Sequence, residues 1–121
     1  MCDIDYQDGA STVLQNTSPV ARKVHICGEC HRPIYRGEKY FREVLLFDAK
    51  LVTCKSCAHC QIPIRWITMA CGGYINGTVK NEFIEHAYRE GYAVKRVAVS
   101  MRNQWRRNDG TLMPIPNVIW P

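Results

Sequence analysis

From residue 40 the chain runs Tyr40-Phe41-Arg42-Glu43-Val44-Leu45-Leu46-Phe47, breaks at Asp48-Ala49-Lys50, and resumes as Leu51-Val52-Thr53. Aromatic and β-branched residues on both sides of a short polar break predict a β-hairpin. Val24-His25-Ile26 is a shorter strand candidate upstream, and Arg36-Gly37-Glu38-Lys39 reads as a turn. Downstream the spacing of apolar residues becomes helical. Thr53 is expected to cap a helix opening at Cys54, which Pro63 interrupts or restarts before it runs through Trp66 and Met69 to Cys71 and ends at Gly72-Gly73. Val79, Phe83, Ile84, Ala87 and Tyr88 share one face of a second helix, with Thr78 as its cap and Gly91 as its stop. Val94, Val97, Ala98, Met101 and Trp105 form the stripe of a third helix over residues 93–106. Asn108-Asp109-Gly110 ends it.

The flanks differ from this middle. Residues 1–20 are polar and contain Asn16-Thr17-Ser18-Pro19, so they read as a flexible N-terminal arm. Residues 111–121 are apolar and proline-rich, hence an extended tail. Residues 21–110 remain as a single domain, which suits a chain of 121 residues with 46 % hydrophobic and 22 % charged positions. No run of eighteen apolar residues occurs, which excludes a helical membrane span. The start Met1-Cys2-Asp3-Ile4-Asp5 has no apolar stretch, so the expected location is the cytoplasm.

Seven cysteines change the picture: Cys2, Cys27, Cys30, Cys54, Cys57, Cys60 and Cys71. In a reducing compartment disulfides do not persist. Cys27-Gly28-Glu29-Cys30 and Cys54-Lys55-Ser56-Cys57 are two C-x-x-C pairs with twenty-three residues between them. That is the spacing of a four-thiolate zinc site: each pair offers two sulfurs from one side, and two pairs complete a tetrahedron. A rubredoxin-like iron centre uses similar spacing, and a redox C-x-x-C would need one pair beside a βαβ unit. Cys57/Cys60 is the alternative second pair, Cys71 reads as a buried small hydrophobe, and Cys2 has no assigned role. A knuckle, a β-hairpin and a helix carrying the last ligands follow the order of a treble-clef zinc finger. The expected fold is therefore α+β: a treble clef, two further helices and an extended tail, with zinc supplying part of the folding free energy.

Ala21-Arg22-Lys23-x-His25-x-Cys27-x-x-Cys30, Ile34-x-x-Gly37-Glu38-x-Tyr40 and Thr53-Cys54-x-x-Cys57 resemble a set of small phage and prophage treble-clef proteins. The later Cys71-Gly72-Gly73-Tyr74-Ile75-Asn76-Gly77 and Glu85-His86 are similar to their downstream segment, so the likeness spans residues 21–90. It implies a treble clef with Cys27, Cys30, Cys54 and Cys57 as ligands. Together with the small size, it implies an accessory protein acting in a bacterial host cell. Such a protein would bind and modulate a host protein or nucleoprotein complex, for example as an anti-CRISPR or other anti-defence inhibitor. Cys60 and Pro63 depart from the pattern.

Charge is unevenly placed. Residues 1–88 hold ten basic and nine acidic residues, whereas residues 89–121 hold six and two, so most of the net +5 lies in Arg89, Lys95, Arg96, Arg102, Arg106 and Arg107. On the third helix these fall largely opposite the apolar stripe. Such a face suits nucleic-acid phosphates or an acidic protein partner; its bland reading is a solvated helix surface. Ile115, Val118, Ile119 and Trp120 of the tail either pack back on the helices or contact a partner.

No catalytic constellation emerges. The chain has no phosphate-binding glycine loop, no G-x-S-x-G and no H-E-x-x-H. A treble-clef nuclease would need a histidine pair on the hairpin and helix, and His59 alone is in place. A four-thiolate zinc keeps no open position for water. The expectation is a non-enzymatic zinc-binding protein, with nucleic-acid binding as the second class and a nuclease as the third.

Overall fold

The computed structural model describes residues 12–118. Among them, five strands and three helices form an α+β fold. β1 (Thr12–Thr17), β4 (Tyr40–Phe47) and β5 (Lys50–Cys57) make an antiparallel sheet in the order β1-β4-β5. β2 (His25–Ile26) and β3 (Pro33–Ile34) form a small hairpin that holds the Cys27–Cys30 knuckle between them.

The hairpin lies where the hydrophobic pattern put it, but its second strand is longer. Asp48 (φ 50) and Ala49 (φ 61) make a two-residue turn with the left-handed backbone that matches strand twist. From there the ladder runs unbroken from Phe47↔Lys50 to Tyr40↔Cys57. Thr53 and Cys54 are thus strand residues rather than the start of a helix: eight cross-strand pairs outweigh one cap signal. Of the segment read as a flexible arm, Thr12 to Thr17 form a strand, β1. Thr12 to Thr17 pair with β4, from Thr12↔Leu46 to Thr17↔Arg42, with a shift in register between Val13 and Gln15. Val13 to Thr17 are exposed, so backbone pairing along an otherwise open edge of β4 holds this strand, and burial signals miss it.

α1 spans Gln61–Cys71. Pro63 marks its first turn, where a missing N–H costs nothing, so the proline starts this helix instead of interrupting one. Gly72 (φ 78) ends it in the left-handed conformation, its N–H donating to the Thr68 carbonyl at 2.9 Å. α2 spans Val79–Ala87 and α3 spans Tyr92–Arg102. α3 is shorter than its stripe suggested. Gln104 and Trp105 have positive φ (56 and 60), and the Trp105 N–H returns to the Ser100 carbonyl at 2.8 Å. This reversal turns Trp105 inward, where it is fully buried with Met101, Phe83, Ile67 and Ile34.

The described part of the tail folds back. Leu112 bridges Arg106, the Met113 N–H donates to the Trp105 carbonyl at 2.8 Å, and Leu112, Met113 and Val118 pack against the core. Ile115 remains half exposed. Ile119 and Trp120 lie outside the described residues, as do Cys2 and the first half of the arm. No helix among the described residues is long and apolar enough to cross a membrane.

Candidate metal centre

Two segments deliver the cysteines. The knuckle Cys27-Gly28-Glu29-Cys30 is closed by the His31 N–H, which reaches the Cys27 carbonyl at 3.0 Å with His31 at φ 65. Gly28 eases the close approach to β5: its N–H donates to the Lys55 carbonyl at 2.8 Å, and a β-carbon there would stand a tight 3.0 Å from the same oxygen. The second pair comes from the end of β5 and the turn before α1, where Cys57 is the last strand residue and Cys60 precedes Gln61.

Cys27, Cys30, Cys57 and Cys60 converge in one buried cluster, their sulfurs all within 4.8 Å of one another. Cys27 Sγ lies 3.7 Å from Cys60 Sγ, and Cys30 Sγ lies 3.8 Å from Cys57 Sγ. A tetrahedral ion with Zn–S bonds of about 2.3 Å separates its sulfurs by about 3.8 Å, so the four donors fit a tetrahedral thiolate site. All four are wholly shielded from solvent.

The surroundings suit thiolates. Cys27 Sγ accepts N–H bonds from Glu29 at 3.4 Å and Cys57 at 3.3 Å, and the Trp105 indole donates to Cys60 Sγ at 3.4 Å. Hydrogen bonds from Cys30, then Cys57 and Cys60, hold the Cys27 thiol well below its ordinary range. Bonding to Cys27 and Cys30 pushes Cys57 up, and the same partners push Cys60 up. Four sulfurs at this spacing thus resist ionising together unless a cation lies among them.

Arg32 stands behind the cluster as a fully buried cation. Its Nη2 meets Glu38 Oε1 at 2.7 Å, and its Nη1 donates to Glu38 Oε2 at 3.1 Å and to the Pro33 carbonyl at 2.7 Å. Nη2 also faces His59 Nδ1 at 3.3 Å, while His59 Nε2 lies 2.6 Å from the Met113 carbonyl. Since a carbonyl can only accept, Nε2 carries the hydrogen and Nδ1 accepts from Arg32. Both nitrogens of the one histidine placed for nuclease chemistry are therefore occupied in tying the tail to the knuckle.

The expected ligand set needs one correction. Cys54 is not in the cluster; Cys60 takes that place, and the second pair is Cys57/Cys60. Because β5 continues through Cys54, its side chain leaves on a different course from that of Cys57. Burial, then the carboxylates of Glu43 and Glu29, push the Cys54 thiol up, an environment that disfavours a thiolate. Cys71 differs too: it is half-buried at the end of α1 and disulfide-bonded, rather than a simple core residue. Neither Arg32 nor the Trp105 indole is legible from residue pattern as a support of the site; a Trp in a helix stripe reads only as core.

The basic residues do not form one helical face. Arg89, Lys95, Arg96, Arg102 and Arg107 are exposed. Arg106 lies beyond α3, its Nη1 donating to the Gly110 carbonyl and its Nη2 to the Tyr35 hydroxyl, both at 3.0 Å. Between α2 and α3 runs a groove of about 360 Å³ lined by Ile84, Ala87, Tyr88, Lys95, Val99 and Arg102, among others. No family model matches the chain, and no curated protein or solved structure matches it significantly.

Proposed function

We propose that this chain is a non-enzymatic, zinc-stabilised treble-clef module that binds and modulates a host macromolecular complex, as the phage and prophage resemblance implies. In this reading Cys27, Cys30, Cys57 and Cys60 hold zinc, which would contribute on the order of 10 kcal/mol or more to folding. Four buried thiolates leave the ion no open position for water, which supports a structural role.

The observation that carries the binding role is the α2–α3 groove. Ile84, Ala87, Ala98 and Val99 give it an apolar lining, which Lys95 and Arg102 share. Such a surface complements a protein segment that combines apolar and acidic side chains. The test is a photo-crosslinking residue at Val99, with one at Lys50 on the distant hairpin turn as control, in bacterial cells. A discrete protein adduct from Val99 alone, lost on Lys95→Glu with Arg102→Glu, is expected. Adducts that are equal at both positions, or unmoved by charge reversal, overturn the reading.

A second reading, nucleic-acid binding, draws on Tyr88 and Tyr92, each 78 % exposed beside Arg89, Lys95 and Arg96. Exposed rings among cations are what base stacking and phosphate contact require. It predicts binding to single-stranded oligonucleotides that falls steeply with salt and weakens on Tyr88→Ala; no binding at low salt removes it.

A further inference from the structure

A second group of metal-ligating side chains lies away from the four-cysteine cluster. Cys71 closes α1, while Glu82 and His86 stand one turn apart on α2. One donor atom from each falls within 4.8 Å of the others. Cys71 Sγ lies 3.5 Å from His86 Nε2, and Glu82 Oε1 lies 3.6 Å from the same nitrogen. A tetrahedral zinc-sized ion, with bonds of about 2.3 Å to sulfur and about 2.0–2.1 Å to nitrogen and oxygen, sets sulfur and nitrogen about 3.5–3.6 Å apart and nitrogen and oxygen about 3.3–3.4 Å apart. The sulfur–nitrogen spacing matches, and the nitrogen–oxygen pair needs to close by about 0.2–0.3 Å.

Sulfur, imidazole and carboxylate are the donor types zinc takes, and their mixture suits a borderline-soft divalent ion better than magnesium or calcium. The three residues are half-buried, so an ion there would be shielded yet reachable. Trp66 packs against the His86 ring, centroids 5.3 Å apart, and meets Phe83 edge-on at 5.5 Å. The imidazole is thereby held between the two helices. An i, i+4 Glu–His pair alone would be an ordinary surface contact; a cysteine brought to it from another helix is what sets this group apart.

We infer that Cys71, Glu82 and His86 form a second divalent-metal site of the zinc class, which staples the end of α1 to α2. The site belongs to the reduced chain, because the Cys71 sulfur ligates only as a thiolate. Reduction of its disulfide by a phosphine takes two electrons and two protons and yields two thiols, the phosphine leaving as its oxide with oxygen from water. Metal binding then displaces the Cys71 thiol proton. The inference does not depend on the proposed function or on the identity of the ion in the four-cysteine cluster.

The experiment is titration of the full chain with cobalt(II) under phosphine reduction, followed by cadmium-113 NMR of the cadmium form. Two equivalents per chain are expected, with two separate cadmium signals, one characteristic of four sulfurs and one of mixed sulfur, nitrogen and oxygen. Cys71→Ser and His86→Ala should each lose the second equivalent while the four-sulfur signal persists, which also reports that the variant is folded. Cys54→Ser should keep both. Glu82→Gln should weaken the second equivalent at least tenfold. If the reduced wild type binds a single equivalent, or if the second survives both Cys71→Ser and His86→Ala, the site does not exist. The wild-type measurement decides this even where a variant fails to fold.

Discussion

The carboxylate of Glu29, inside the Cys27–Cys30 knuckle, accepts the backbone N–H of Val79 at 3.1 Å and thereby caps α2 from fifty residues away. Its other oxygen takes the Gly77 N–H at 2.8 Å. Thr78, at the capping position, makes no such bond, since its hydroxyl is turned to the Ile75 carbonyl. The first turn of α2 is therefore satisfied by a residue of the cysteine knuckle, and the knuckle and this helix should lose stability together. Glu29→Ala leaves the buried Val79 N–H without its partner and should cost about 1–3 kcal/mol in urea unfolding of the zinc-loaded protein. Glu29→Gln retains one acceptor and should cost less. Equal stability of wild type and Glu29→Ala would show that the cap carries no weight.

The ligand set separates sharply by substitution. Cys60→Ser removes one of four buried donors and should lower zinc retention against a chelator by more than roughly a hundredfold, with partial loss of helical circular dichroism. Cys54→Ser should leave zinc content at one per four-cysteine cluster and the melting temperature within about 2 °C of wild type. A reversed result, with Cys54 essential and Cys60 dispensable, would restore Cys54/Cys57 as the second pair.

That contrast shows how far a linear reading reaches. The two C-x-x-C motifs announce a thiolate site, and the three candidate sulfurs at positions 54, 57 and 60 sit at equal intervals. Spacing cannot choose among them, because the choice depends on where β5 stops. The strand runs on to Cys57 because each residue from Lys50 onward has a partner on β4, a non-local fact invisible at Thr53. The hairpin and the apolar faces of α2 and α3 were legible, since their periodicity is local. Trp105 was legible as core but not as a sulfur's donor, because its direction follows from two left-handed residues after α3. Arg32 was illegible for the opposite reason: a lone arginine after a knuckle looks solvated, and only the fold buries it against Glu38.

The Arg32–Glu38 pair gives the acid side of the stability profile. Burial by itself would raise the Glu38 carboxyl, but the bond from Arg32 and the Tyr35 N–H at 2.7 Å outweigh it and hold the group below its ordinary value of 4.5. A carboxyl depressed on folding contributes stability that is fully present above its unfolded value and is lost as pH falls through the folded one. Glu38→Gln should therefore be less stable than wild type at pH 7, by about 1–3 kcal/mol. The gap should begin to close below about pH 4.5. Denaturation midpoints of both proteins from pH 7 down to the acid limit of folding check this. A gap independent of pH would assign the loss to packing alone.

Trp105 offers the most direct probe of what surrounds the four-cysteine cluster. The indole N–H donates to Cys60 Sγ at 3.4 Å, and the same residue's carbonyl accepts from Met113, so one side chain and its backbone join the cluster to the tail. Its ring also packs against His59, centroids 5.7 Å apart, and His59 in turn meets Arg32. An N–H directed at a thiolate withdraws charge from sulfur and fixes its orientation, and supporting bonds of this kind are worth roughly 10–100-fold in metal affinity. Trp105→Phe keeps an aromatic ring in the core but removes the donor. Zinc affinity, measured by competition with a chromophoric chelator, should fall within that range, and alkylation of Cys60 in the metal-loaded protein should speed up. A loss of thermal stability with no change in affinity or alkylation would mean that the indole serves only as packing. Parallel loss of both would show that the end of α3 turns inward to support the cluster.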